Sequence, residues 1–179
     1  MNRRKALKLT TLTGTVIFTG FSSTLTSCTE SNELTWKPVI LNENQIEIIE
    51  HIANHIIPET ETPGAKDVGV SRFIDLILQD VYTEDEKSKF LSGIDNFDKN
   101  CIKAHNKSFT SLDFDQKNSY FLSVKESSFF TEIKNLSLDC YFHSEQGIKQ
   151  NYNYLPVPGK FIGCDNMPEN GKVWRGGDI

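Results

Sequence analysis

Residues 41–58 have the sequence LNENQIEIIEHIANHIIP, and this stretch decides the fold class. Asn42 and Gln45 have the spacing of a capping box, which satisfies free backbone N–H groups at a helix start. Pro58 cannot continue a helix, so the element should end before it. Between these limits apolar residues recur at intervals of three and four, which predicts one amphipathic helix. The residues on its apolar face are Ile46, Ile49, Ala53, Ile56 and Ile57.

The same helical period recurs later in the chain, whereas no segment alternates convincingly with the period of two that a strand needs. Thr83 and Glu86 form a second capping box at the start of a further apolar stripe. This stripe consists of Phe90, Ile94, Phe97 and Cys101. The later helical segments lie at residues 70–81, 83–105, 114–124 and 129–140. Together with the first helix they predict an all-α fold, a bundle of about five helices within residues 41–150.

Two segments lack the helical pattern. Residues 58–69 contain Pro63 and Gly64 among further turn formers, which predicts a long loop. Residues 151–179 combine three prolines and five glycines with aromatic side chains, which predicts an irregular tail. Aromatic side chains on an extended segment need cover, and the sequence leaves open whether the tail packs on its own bundle or on a partner subunit.

The first 27 residues predict an export signal. Four basic residues within Met1–Lys8 precede a long uncharged stretch, which is the polarity of a secretory leader. The pair Arg3-Arg4 resembles a twin-arginine signal, the kind that carries proteins across a membrane already folded. The uncharged stretch is rich in Ser and Thr, which argues against a permanent membrane span.

The end of the leader predicts a lipid anchor. Leu25-Thr26-Ser27-Cys28 resembles the lipobox of bacterial lipoproteins. We therefore expect cleavage before Cys28, acyl chains on this residue and a tether at residues 28–40. The protein would then be exported and would lie in the periplasm or at the outer face of a bacterial membrane.

The charge of the chain excludes one class of partner. The leader holds four of the 19 Lys and Arg residues and none of the 24 Asp and Glu residues, so the rest of the chain has a formal charge of −9. An acidic surface repels phosphate backbones, so nucleic acid is not expected as a partner. Without its 27-residue leader, the chain of 179 residues has the usual size of one domain.

Three cysteines follow Cys28 and would lie in a compartment where disulfides persist. They are Cys101, Cys140 and Cys164. At most one internal bridge can form among them, and the three possible pairings, as well as a bond to another chain, remain open. No Cys-x-x-Cys-His sequence occurs, so covalent haem is not expected in this chain.

The sequence contains few residues that indicate chemistry. His51 and His55 lie one helical turn apart, a spacing at which two imidazoles can bind one metal ion. Two ligands are too few for a structural site, so a face open to solvent or to a partner is favoured over a metal-dependent enzyme. Glycine-rich phosphate loops and the Gly-x-Ser-x-Gly motif are missing from the sequence. The residues therefore favour a subunit or a binding protein over an enzyme.

Three segments resemble the signature of the gluconate 2-dehydrogenase subunit 3 family. The first is IIPETETPGA at residues 56–65, and the second is YFHSEQG at residues 141–147. The third is PVPGKFIGC at residues 156–164. They occur in the order of the family and bracket almost all of the chain after the leader. His143 and Phe161 replace the Thr and the Tyr of the family pattern.

The resemblance implies a small subunit of membrane-bound dehydrogenases that oxidise sugars, sugar acids or polyols in the periplasm. In such complexes a large subunit carries FAD and a c-type cytochrome carries haem, while the small subunit supports the export, maturation or stability of the large one. The resemblance implies no cofactor and no catalytic residue in this chain. The residues that we expect at the partner interface are Pro63, Gly64, Ala65, Tyr141, Ser144, Glu145, Pro158, Gly159 and Trp174. The alternative is a free-standing envelope lipoprotein that binds a small ligand.

Overall fold

The computed structural model describes residues 36–157, 159–160, 164, 166 and 168–176. The described residues belong to one unit. The predicted export signal at residues 1–27, Cys28 and the first part of the tether lie outside the described residues, as does Pro158. None of the described helices is long and apolar enough to cross a membrane.

The described residues form six α-helices and one small sheet. The helices are α1 (Glu43–Ile56), α2 (Val70–Asp80), α3 (Glu84–His105), α4 (Phe114–Val124), α5 (Ser128–His143) and α6 (Glu145–Asn151). A 3-10 turn at Phe109–Ser111 connects α3 to α4, and the strands β1 (Asn153–Leu155) and β2 (Trp174–Gly176) pair in parallel. The prediction of an all-α bundle is confirmed. Helix α6 and the two strands have only seven and three residues, which is too short for a periodic pattern to reveal them.

The local signals at the helix ends are confirmed. Asn42 Oδ1 accepts a hydrogen bond from Gln45 N at 2.9 Å, and Gln45 Oε1 accepts one from Asn42 N at 3.2 Å. Thr83 and Glu86 form the second capping box in the same way. Asn106 ends α3 in a left-handed conformation with a φ of 55°. All four residues of the stripe predicted for α3 are buried.

Helix α1 lies at the centre of the bundle. It contacts α2, α3, α5 and the 3-10 turn. Its buried residues are Gln45, Ile46, Ile48, Ile49, Ile52 and Ala53. Ile48 and Ile52 fall outside the predicted stripe, whereas Ile56 and Ile57, which belong to it, are only half-buried. The predicted stripe assumes one packed side, but a helix with neighbours on several sides buries a wider face.

A buried carboxylate holds the chain that precedes α1 against α2. Asp75 is 1% exposed, and its oxygens accept hydrogen bonds from the backbone N–H groups of Val39, Ile40 and Leu41 at 2.9, 3.0 and 2.8 Å. These charge-assisted hydrogen bonds compensate for the loss of water around the carboxylate. The contact joins residues more than 30 positions apart, so the local patterns of the sequence do not reveal it.

We expect Asp75→Ala to lower the free energy of unfolding by about 3 kcal/mol, because three backbone donors lose their acceptor. Urea denaturation followed by circular dichroism measures this change. Asp80→Ala, at the exposed end of the same helix, is the matched control and should change the free energy by less than about 0.5 kcal/mol. A loss in Asp75→Ala no larger than in this control would contradict the anchoring role of Asp75.

Candidate functional site: loop, corner and tail

The long loop meets the turn between α5 and α6. We call residues 58–69 the loop and residues 141–147 the corner. Tyr141 is 3% exposed, and its hydroxyl donates a hydrogen bond to Pro63 O at 2.9 Å. These two residues are 78 positions apart in the sequence. Two of the three segments that carry the family resemblance are therefore joined by a direct contact.

The loop is an ordered turn with a close backbone approach. A Cβ atom on Gly64 would lie 2.7 Å from Glu59 N, so no larger residue fits without a shift of the backbone. The N–H of Gly64 donates to the Asp67 carboxylate at 2.7 Å. Ala65 is fully buried, and its N–H donates to Ile57 O at 2.9 Å. These contacts fix the path of the chain from α1 into α2.

Ser144 and Gly147 determine the shape of the corner. Ser144 Oγ donates to Tyr141 O at 2.7 Å and accepts from Gly147 N at 3.0 Å, so it caps the start of α6. A Cβ atom on Gly147 would lie 2.0 Å from Tyr141 O, so this sharp turn requires glycine. His143 is exposed, and its Nδ1 lies 2.7 Å from Asp139 O. The departure from the family pattern at His143 therefore leaves the corner intact.

The tail folds back on itself and contacts the corner. The side-chain amides of Asn153 and Asn170 exchange two hydrogen bonds, at 3.1 and 2.8 Å, which hold β2 beside β1. Arg175 on β2 donates to Phe142 O at 3.3 Å and lies 5.1 Å from the centroid of the Tyr152 ring. The tail, predicted to be irregular, thus brings β2 back beside β1, and side-chain amide hydrogen bonds rather than a hydrophobic pattern support this pairing.

The residues predicted at the partner interface separate into two groups. Four of them are buried, namely Gly64, Ala65, Tyr141 and Ser144. They shape the loop and the corner from inside. Their role at a partner interface stays a prediction. Glu145, Gly159 and Trp174 are exposed, Pro63 is half-buried, and Pro158 lies outside the described residues. For the exposed residues the interface role stays a prediction.

The sequence model of the gluconate 2-dehydrogenase subunit 3 family matches residues 43–159, which is more than half of the chain. The chain belongs to this family. The match begins at the first residue of α1 and contains the loop and the corner, but it ends before β2. No curated protein and no solved structure matches the chain. The match of the family model confirms the resemblance that the sequence shows to this family.

In this family member the two histidines of α1 face α4. His51 Nδ1 lies 3.1 Å from Lys117 Nζ, and His55 Nε2 lies 2.8 Å from Asn118 Oδ1. Both histidines are half-buried, and the prediction that they lie on a face open to solvent or to a partner stays a prediction. The pattern of α1 alone does not show that side chains of α4 contact this face. Among the described residues, no three His, Cys, Asp or Glu side chains are grouped to hold a metal ion.

The contact between His51 and Lys117 favours one protonation state of the imidazole. An ammonium group has no hydrogen-bond acceptor, so a charged Lys117 requires a neutral His51 that accepts at Nδ1 and has its proton on Nε2. Burial, followed by the charge of Lys117, lowers the pKa of His51. Burial also lowers the pKa of Lys117. Protonation of His51 would place two cations 3.1 Å apart, so the packing of α1 on α4 favours the neutral imidazole.

The three described cysteines after the tether are free thiols. Cys101 and Cys140 are buried, and burial raises their pKa values to about 11 and about 12. Both thiols therefore stay protonated and unreactive near neutral pH. Cys164 is exposed. None of the internal pairings that the sequence leaves open is formed in this structure.

We expect Tyr141→Phe to lower the free energy of unfolding by about 1 kcal/mol, since it removes one hydrogen bond and keeps the ring. Amide exchange in residues 58–69 should become faster, because the loop loses its connection to the corner. Urea denaturation and hydrogen–deuterium exchange measure the two effects. Tyr154→Phe, which removes a hydroxyl from the tail, is the matched control. Unchanged exchange in the loop of Tyr141→Phe would contradict this role of the hydroxyl.

His51 predicts a dependence of stability on pH. Its pKa in the folded protein lies below the ordinary value of 6.5, so the unfolded chain binds the proton first as the pH falls. The stability that neutral His51 contributes is complete above pH 6.5 and is lost as the pH falls through 6.5 towards the lower pKa of the folded state. We expect the free energy of unfolding of His51→Gln, measured by urea denaturation between about pH 7.5 and about pH 5, to lack the pH-dependent part that His51 contributes. His143→Gln is the control, and equal pH slopes in His51→Gln and the wild type would refute the prediction.

Proposed function

We propose that this protein is a non-catalytic accessory subunit of a periplasmic, flavin-dependent dehydrogenase complex that oxidises sugars, sugar acids or polyols. Membership of the gluconate 2-dehydrogenase subunit 3 family carries the proposal, because a subunit implies partner subunits. In this proposal a large partner subunit binds FAD and a c-type cytochrome binds haem. The present chain supports the export, maturation or stability of the flavin-bearing subunit.

The use that the structure makes of the family segments supports a scaffold role. Tyr141 connects the corner to Pro63 of the loop, while Ser144 and Gly147 hold the turn into α6. A group that transfers a proton to a substrate must come within hydrogen-bond reach of it. Tyr141 and Ser144 are buried, and their hydroxyls donate hydrogen bonds to backbone carbonyls instead. Residues used in this way preserve the shape of a surface.

The leader is consistent with the same role. A twin-arginine signal carries folded proteins, which suits a chain that leaves the cytoplasm together with a folded flavoprotein. In the proposal the basic pair Arg3-Arg4 directs this export. Acyl chains on Cys28 then hold the complex at the membrane, since two or more chains give stable anchoring where one does not.

Co-purification from membranes tests the proposal. The full chain, with an affinity tag after Ile179, is expressed together with its neighbouring genes. We expect the tag to retain a flavoprotein, with flavin absorbance in proportion to the tagged chain. The retained complex should oxidise a sugar, sugar acid or polyol with an artificial electron acceptor, whereas the tagged chain expressed alone should not.

Two results would contradict separate parts of the proposal. A folded, exported chain that retains no flavoprotein would refute the accessory-subunit role. The lipid anchor is tested by mass spectrometry of the mature N-terminal peptide, which should begin at Cys28 and carry acyl chains. An unmodified peptide would refute the anchor and leave the subunit role standing.

A further inference from the structure

Helix α2 has an apolar side that the described part of the bundle leaves exposed. The helix packs on α1 and α5. Its buried residues are Val70, Ser71, Ile74, Asp75 and Leu78. Phe73 and Leu76 lie on the other side of the helix, three positions apart and therefore on one face. They are 38% and 41% exposed. The outer face of a bundle helix normally carries polar residues, so this apolar pair needs an explanation.

The chain that enters α1 lies beside this face. Val39 is 61% exposed, and its backbone N–H donates to the Asp75 carboxylate at 2.9 Å. Successive residues of a helix are turned by about 100°, so Asp75 lies at the edge of the buried side, next to the face of Leu76. The hydrogen bond therefore places Val39 at the border of the exposed face. We call Val39, Phe73 and Leu76 the entry patch.

Basic side chains flank the entry patch. Lys37 precedes Val39 by two residues, and Arg72 directly precedes Phe73. Both are exposed, and neither forms an ion pair with another described residue. Asp80 is the exposed acidic residue of α2 and lies at the far end of the helix. Cations beside apolar side chains suit a bilayer surface, where anionic headgroups attract the cations and the apolar groups enter the headgroup boundary.

The position of the lipid anchor favours the bilayer as the occupant of the entry patch. In the proposed function, acyl chains on Cys28 hold the protein at the membrane, and only ten residues separate Cys28 from Val39. A chain spans at most about 3.5 Å per residue, so this connection cannot exceed about 40 Å. Asp75 fixes the point at which the connection joins the fold. A membrane contact through the opposite side of the bundle would require the tether to pass around the fold.

We infer that the entry patch lies on the membrane surface, with Phe73 and Leu76 inserted among the lipid headgroups. This inference rests on the lipid anchor of the proposed function and adds to it the orientation of the folded unit. An acylated residue alone leaves a folded unit free to turn about its tether. A second contact through α2 turns one side of the bundle towards the bilayer and leaves the opposite side free for partner subunits.

A spin label in place of Leu76 tests the inference. The lipidated mature chain with Leu76→Cys and Cys164→Ser is labelled and reconstituted in vesicles of phosphatidylethanolamine and phosphatidylglycerol. Cys101 and Cys140 are buried and do not take up the label. Leu122→Cys in the same background is the matched control, because Leu122 is a leucine on α4 that is 70% exposed. Circular dichroism verifies that each variant is folded.

Collisions of the label with oxygen and with a water-soluble nickel chelate report its depth in the bilayer. Oxygen is concentrated among the lipid chains, whereas the chelate stays in water. We expect the ratio of oxygen to chelate collisions to be at least about threefold higher for the label at position 76 than for the label at position 122, because the entry patch enters the headgroup boundary. Equal ratios at the two positions would overturn the inference.

Photocrosslinking gives a second readout that needs no substitution. The wild-type lipidated chain is reconstituted with a phospholipid that carries a photoreactive group near its headgroup, and mass spectrometry maps the modified residues. We expect modification within residues 36–39 and 70–80 and none around Leu122. Absence of lipid modification in residues 70–80 would overturn the inference even if the Leu76→Cys chain failed to fold.

The outcomes separate this inference from the proposed function. If Cys28 carries acyl chains but the label at position 76 behaves like the label at position 122, the inference fails while the anchor and the accessory-subunit role stand. If Cys28 is unmodified, the anchor and the inference fail together. If the label at position 76 is shielded from oxygen and chelate alike, a protein surface such as a second copy of the chain covers the entry patch, and the inference is wrong.

Discussion

Helix α1 is enclosed by its neighbours, and its burial is the constraint on which the other elements depend. Ile46, Ile48, Ile49 and Ile52 are at most 1% exposed. Removing one such side chain from water stabilises the fold by roughly 1.5–3 kcal/mol. Helices α2, α3 and α5 must therefore pack closely on α1 for the fold to gain this free energy. The loop connects α1 to α2, and Asp75 of α2 accepts hydrogen bonds from the chain that precedes α1. The connection and these hydrogen bonds keep α2 in place beside the central helix.

A series of polar contacts extends this scaffold from the loop to the tail. Tyr141 joins the corner to Pro63 of the loop. Ser144 caps α6 and fixes the turn from α5 into α6. Arg175 joins β2 to Phe142, which follows Tyr141 in the corner. Each contact ends on a backbone carbonyl or a backbone N–H, so it constrains the main chain directly. Residues shared with the family thus position a segment that lies beyond the family match.

The sequence predicts local features well, because caps and apolar stripes depend on residues a few positions apart. The capping boxes at Asn42 and Thr83 are confirmed, and so is the all-α class. The sequence does not predict contacts between residues that are far apart in the chain. The pairs Tyr141–Pro63 and His51–Lys117 are separated by 78 and 66 positions, and no periodicity of either segment specifies its partner. The pairing of Asn153 with Trp174 joins two strands of three residues each, which is too little sequence to display a pattern.

A structure of the complex purified from membranes, determined by electron cryomicroscopy, tests the central claim most directly. The account predicts that the flavin-bearing subunit contacts this chain and that the hydrogen bond from Tyr141 to Pro63 O is retained in the complex. A complex in which the loop and the corner separate to admit the partner would contradict the claim that this chain is a preformed scaffold.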